Sequence, residues 1–245
     1  MVLRVTAGKL ALGSLVLALG AGPCNSPYPQ TDEGKSVYYT TFGEEPKHLD
    51  PARSYSTDES SILGQILEPP FQYHFLKRPY ELEPCTAEAL PEAVTREVHF
   101  AGETIAATVY TVRLKRGILY QDHPCFVEAN RRLTREQVRH VHGVQDIHPM
   151  GTRELVAGDY VHGIRRLCDP RLACPVFGTL AEHLLGMAEY QAILESQLEE
   201  RRTKRRDQGG VLYSQEENEK YAPIALDYAA GAEQFPFVRE VDRYT

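Results

Sequence analysis

Apolar and polar positions alternate along residues 37–42 (VYYTTF), and the β-branched and aromatic content of that run predicts a strand. Gly43-Glu44-Glu45-Pro46 breaks it, and Leu49-Asp50-Pro51 keeps the backbone extended, because the residue before a proline avoids helical dihedrals. The period then changes. Ser56-x-x-Glu59 has the spacing of a capping box in front of Ile62, Leu63, Ile66 and Leu67, which share one face of a helix that Pro69-Pro70 must end. Residues 94–120 return to a period of two and predict an antiparallel meander. Tyr110, Val112 and Leu114 take one face, Thr111, Arg113 and Lys115 the other, and Arg116-Gly117 turns the chain into residues 118–120. Helical spacing resumes at Val156, with Tyr160, Val161, Ile164 and Leu167 on one side until Asp169-Pro170 stops it. A longer helix is predicted over about residues 176–206, with Leu180, Leu184, Met187, Gln191, Leu194 and Leu198 as its stripe. Residues 126–153 between these blocks are polar and aperiodic, as expected of an insertion.

The first 23 residues stand outside this pattern. Arg4 and Lys9 make a basic, acid-free start, followed by an apolar run of 13 residues (LALGSLVLALGAG) too short to cross roughly 30 Å of hydrocarbon as a helix. Residues 1–23 therefore predict a signal peptide and an exported protein of the periplasm or cell envelope. Cys24 follows Ala21, Gly22 and Pro23, an arrangement that resembles a bacterial lipobox and would place a lipid on Cys24; a plain signal peptide with Cys24 an ordinary thiol is the alternative. Residues 24–35, rich in proline, asparagine and serine, predict a tether.

Charge narrows the partners. The chain of 245 residues has 27 basic and 34 acidic side chains, a net charge of −7 that falls to −9 without the leader. Binding nucleic acid depends on neutralising phosphates with a basic surface, so no nucleic-acid partner is expected. Outside the cytoplasm the cysteines meet oxidising conditions; with Cys24 lipidated, Cys85, Cys125, Cys168 and Cys174 allow three pairings. Cys168 and Cys174, separated by the Asp169-Pro170 turn, are the nearest pair and the expected disulfide, and four buried free thiols are the alternative.

Four motifs in order suggest a family. Glu45, Pro46, Leu49, Asp50 and Pro51 come first, then Pro84, Ala87 and Glu88. Tyr110, Thr111, Leu114, Arg116, Gly117 and Tyr120 follow, and Ala157, Asp159 and Tyr160 come last. This series resembles extracellular solute-binding protein family 5, the oligopeptide-, dipeptide- and nickel-binding components of ABC importers. Departures include Gln121-Asp122-His123-Pro124 where the family has His-Asp-Gly, and Leu67-Glu68-Pro69-Pro70 where it has Tyr-Glu-Gly-Leu. The resemblance implies an α/β, periplasmic-binding-protein-like fold of the class II, peptide-binding type. It would be an incomplete one: an N-terminal lobe with a mixed or antiparallel sheet and packed helices. Family members are longer, so residues 36–245 are expected to be the N-terminal portion of such a domain, with residues 46–200 mostly its smaller lobe.

The expected function is capture of peptides outside the cytoplasmic membrane for delivery to an ABC permease, with the bilayer a further partner through a lipidated Cys24. The alternative is a nickel- or zinc-binding or structural envelope lipoprotein without transport activity. Thr41, Phe42, Glu45 and Pro46, where the first strand meets its turn, are the candidate ligand contacts. No GxSxG, P-loop or paired-carboxylate spacing is present, so no catalysis and no cofactor are expected. His140, His142 and His148 lie in the polar insertion and read as a solvated loop rather than a metal site. The RRTKRR run at 201–206 reads as a solvated helix end, where cations complement the macrodipole. Intact-mass analysis of cell-derived protein is expected to find a start at or near Cys24, with a diacylglyceryl increment if that thiol is lipidated. Retention of residues 1–23 would contradict the export reading.

Overall fold

A computed structural model describes residues 34–41, 43–207, 226–229 and 238–245. The chain divides into two compact units, residues 1–43 and residues 44–245. Described residues of the first unit form no strand. Residues 37–41 are exposed and join no β-ladder, which corrects the predicted strand: a run of strand-forming residues becomes a strand only when its N–H and C=O groups find a neighbour. Phe42 lies outside the described residues.

The second unit is mixed α/β, with small antiparallel sheets and a few helices. Helix α1 (Thr57–Ile66) starts where the sequence predicts, with the Ser56 hydroxyl accepting from the Glu59 N–H and the Glu59 carboxylate accepting from the Ser56 N–H. Strands β1 (Phe71–Tyr73) and β2 (Leu82–Pro84) form one antiparallel pair. Strands β3 (Ala93–Phe100) and β4 (Glu103–Tyr110) form the other, joined through Ala101 and Gly102. Both connecting residues have positive φ, 51° and 84°, the left-handed pair that matches a tight hairpin to the twist of its strands.

The predicted meander is shorter in the structure. Strand β4 ends at Tyr110, and the chain beyond it makes single bridges: Leu114 with Ala87, and Leu119 with Glu154. Leu114 is buried while Tyr110 is exposed, so the two do not share one sheet face. The insertion folds into short 3-10 turns and a one-turn helix α2 (Arg135–Val138).

Helix α3 (Ala157–Leu167) matches its prediction. The long helix does not. It forms as α4 (Phe177–Ala181) and α5 (Met187–Asp207), separated by residues 182–186, of which Gly186 has a left-handed φ of 82° that a continuous helix does not contain. Met187, Tyr190, Leu194 and Leu198 of α5 are buried. With Cys168, the first three form a core on which Ile164, Leu167, Phe177, Leu180 and Leu184 pack. Tyr190 is held there by a 2.7 Å hydrogen bond from its hydroxyl to the Tyr228 carbonyl.

The ends of the unit are tied by polar groups. The Tyr244 carbonyl accepts from the Leu114 N–H, the Arg243 carbonyl from the Ala157 N–H, and Glu154 from the Gly117 N–H and the Tyr244 hydroxyl. Across 116 residues, Arg166 of α3 grips Asp50 with two hydrogen bonds of 2.6 Å. Both side chains are partly exposed, so Asp50→Asn or Arg166→Met is expected to lower stability by about 1–3 kcal/mol, the range for a charge-assisted bond. Urea unfolding of the two single variants and the double checks this. Additive losses would show that the pair contributes no coupling.

Candidate functional site

The Glu45-Pro46 and Asp50-Pro51 turns surround the only candidate ligand contacts that fall in the second unit. Each proline fixes its own φ and restricts the residue before it, so residues 44–51 enter the unit as a loop with no helix or strand. One carboxylate then fixes that loop. Glu59 Oε1 accepts from the N–H groups of Lys47 (3.0 Å) and His48 (2.8 Å). Its Oε2 accepts from the Ser54 hydroxyl (3.0 Å) and from the N–H groups of Tyr55 (3.1 Å) and Ser56 (3.3 Å). Glu59 is only 4% exposed, and its five donors satisfy a group that burial would otherwise penalise. The His48 N–H leads the donors that hold the carboxyl down at about 2, against its ordinary 4.5.

Asp50 forms the second anchor. Its carboxylate accepts from the Ala52 N–H at 3.0 Å as well as from Arg166, and its carbonyl accepts from the N–H groups of Arg53 and Ser54. The Arg166 hydrogen bond is the main reason its carboxyl sits below the usual range. A third tie lies beside it. The Thr86 hydroxyl is 2.7 Å from the Tyr160 hydroxyl, which donates to the Glu68 carbonyl. Around α3, Arg153 pairs with Asp159, and although burial pushes the Asp159 carboxyl up, Arg153 and the Val156 N–H hold it below its ordinary value.

Of the four candidate contacts, Thr41 is exposed in the first unit, Glu45 is exposed and Pro46 half-buried in the second, and Phe42 lies outside the described residues. Cys24 lies outside them too. Glu45 has no hydrogen-bond or ion-pair partner among the described residues, whereas the nearby N–H groups of Lys47 and His48 are already used by Glu59. What the loop can offer a ligand is therefore the Glu45 carboxylate, in a fixed frame.

The expected Cys168–Cys174 disulfide is not formed, and both are free thiols. Cys168 caps the C-terminus of α3, and its Sγ lies 3.8 Å from the Ile164 carbonyl, turned back along its own helix into the core. The turn between the two cysteines is closed instead by Asp169. Its carboxylate accepts from the backbone N–H and guanidinium of Arg171 and from the Tyr228 hydroxyl. Burial raises the Cys168 thiol to about 12, with Cys174 adding to the effect, so Cys168 is inert as a nucleophile.

His140, His142 and His148 are exposed, and Asp146 spends one carboxylate oxygen on the His142 and Gly143 N–H groups. No group of three or more metal-ligating side chains is gathered among the described residues. At the RRTKRR run, Lys204 pairs with Glu200 and Arg206 with Glu199. No helix of the described residues is long and apolar enough to cross a membrane. Sequence reasoning missed Glu59 and Arg166 as anchors. The capping-box spacing pointed to Glu59's role at the helix start, but nothing local marks Arg166 as the partner of Asp50. Neither a family model, nor a curated protein, nor a solved structure matches this chain.

Acid tests the Glu59 anchor. Because its folded value of about 2 lies below the ordinary 4.5, its contribution to stability is complete above 4.5 and is lost as pH falls from there towards 2. Glu59→Gln is expected to destabilise the protein at pH 7, with the difference from the unaltered chain closing between pH 4.5 and 2. An equal difference at both ends of that range would contradict the cage.

Proposed function

We infer that this chain is part of the ligand-capturing component of an ABC importer, binding peptides outside the cytoplasmic membrane and passing them to a permease without chemical change. On this reading residues 36–245 are the N-terminal portion of a class II, peptide-binding periplasmic-binding-protein fold, with residues 46–200 mostly its smaller lobe. The observation that carries the reading is the joining of the four motif segments into one scaffold. Asp50 of the first motif is gripped by Arg166, on the helix that the last motif begins. Thr86, beside Ala87 of the second motif, meets Tyr160 of the last, and Ala87 bridges Leu114 of the third.

A scaffold of this kind suits binding better than catalysis. Four of its carboxylates are spent on backbone N–H groups and on guanidinium groups: Glu59 on a loop, Asp50 on Arg166, Asp159 on Arg153, Asp169 on Arg171. A loop fixed beforehand saves a ligand the entropy of ordering it. Affinity in binding proteins of this type comes from enclosing the ligand between lobes, so a single lobe gives roughly half the contacts and weak binding.

Thermal unfolding of the full chain with a panel of di- to pentapeptides, and separately with nickel and zinc, tests the function. For a millimolar dissociation constant, about 10 mM peptide is expected to add about 1.4 kcal/mol, a shift of a few degrees. No shift with any peptide would overturn the peptide reading, and stabilisation by metal alone would favour the metal-binding one. A micromolar constant for the chain by itself would contradict the half-site.

A further inference from the structure

The turn between β1 and β2 presents large apolar side chains to water in a concentration found at no other turn of the described residues. Phe75 is 87% exposed, Leu76 77%, Tyr80 69% and Tyr73 66%. Single exposed apolar residues are ordinary on a protein surface, but four on one hairpin tip mark an interaction site. The tip is also firmly built. The His74 N–H donates to the Glu81 carbonyl, the His74 ring accepts from the Leu76 N–H, and Tyr73 and Tyr80 meet edge to face at 5.6 Å. Arg78 donates to the carbonyls of Phe75 and Lys77 while its guanidinium lies 4.4 Å from the Tyr80 ring. Phe75 and Leu76 thus stay outside as a consequence of the fold around them.

Charge indicates what they meet. Between His74 and Tyr80 the tip carries Lys77 and Arg78 and no acidic residue, on a chain whose net charge is −7. Lys77 pairs with Glu81, but both are about half exposed or more, and such a pair yields readily to other anions. Aromatic and aliphatic groups flanked by lysine and arginine are the composition of segments that settle at the membrane interface. There the apolar groups enter the acyl boundary and the cations stay among the phosphates. We propose that the β1–β2 tip is a wedge that docks this protein onto an anionic lipid surface, with Phe75 and Leu76 inserted and Lys77 and Arg78 at the headgroups. The inference is independent of the transport reading, since it requires neither a peptide ligand nor a lipid on Cys24.

The chain contains no tryptophan, which allows the tip to be watched directly. A Phe75→Trp variant of the full chain is mixed with phosphatidylcholine vesicles with or without phosphatidylglycerol, some carrying bromine on their acyl chains. The expected result is a blue-shifted emission that brominated lipid quenches, stronger with phosphatidylglycerol. Leu119→Trp, a reporter at an exposed residue outside the β1–β2 hairpin, stays unquenched, so attachment through the leader cannot imitate the result. Adding Lys77→Gln and Arg78→Gln to Phe75→Trp lowers the partition onto anionic vesicles by roughly tenfold or more at low salt. A Phe75→Trp chain that sediments with vesicles while its indole stays unquenched would overturn the proposal. So would a blue shift that grows with protein concentration in the absence of lipid, which would assign the tip to contact between copies.

Discussion

The Glu59 carboxylate holds together a loop that could not otherwise hold itself. Residues 44–55 contain two X-Pro steps and little regular structure, so their N–H groups have no ladder or helix to enter. Four N–H groups, three from this loop and one from Ser56 at its end, converge with one hydroxyl on two oxygen atoms. An anion that accepts this many hydrogen bonds tolerates burial because each bond replaces one that water supplied. Since Glu59 sits in the first turn of α1, the helix and the loop are positioned by the same group.

Other ties extend from that anchor. The loop continues to Asp50, Asp50 reaches α3 through Arg166, and α3 reaches the segment before β1 through Tyr160. Apolar packing is concentrated elsewhere, where α5 meets Cys168 and the end of α3. Among the described residues the unit therefore combines a modest apolar core with a set of polar clamps on its loops. Polar clamps are directional, and they fix the positions of outward-facing groups more narrowly than apolar contact would. Under the proposed binding function, position is the useful property.

How much of this could be read beforehand depended on range. Short-range signals worked: Ser56 and Glu59 marked the start of α1, the apolar spacing from Tyr160 to Leu167 marked α3, and alternation marked part of the β3–β4 hairpin. The strand expected over residues 37–42 rested on alternation and composition, both local signals, and a strand also needs a neighbour. The stripe across Leu184 and Met187 looked continuous because periodicity does not register a backbone reversal at one glycine. Closeness in sequence suggested joining Cys168 to Cys174, yet the Cys168 side chain turns back along its helix and Asp169 closes the turn. Asp50 and Arg166 were beyond reach for a plainer reason. No local pattern pairs residues 116 positions apart.

Amide hydrogen exchange at Lys47, His48, Tyr55 and Ser56 measures the Glu59 cage most directly, because these four N–H groups are the ones it binds. In the unaltered chain at neutral pH they are expected to exchange far more slowly than free loop amides, and as a group, with Glu59→Gln releasing all four together. Exchange of these amides at unprotected rates in the unaltered chain would contradict the cage and, with it, the fixed loop on which the binding proposal rests.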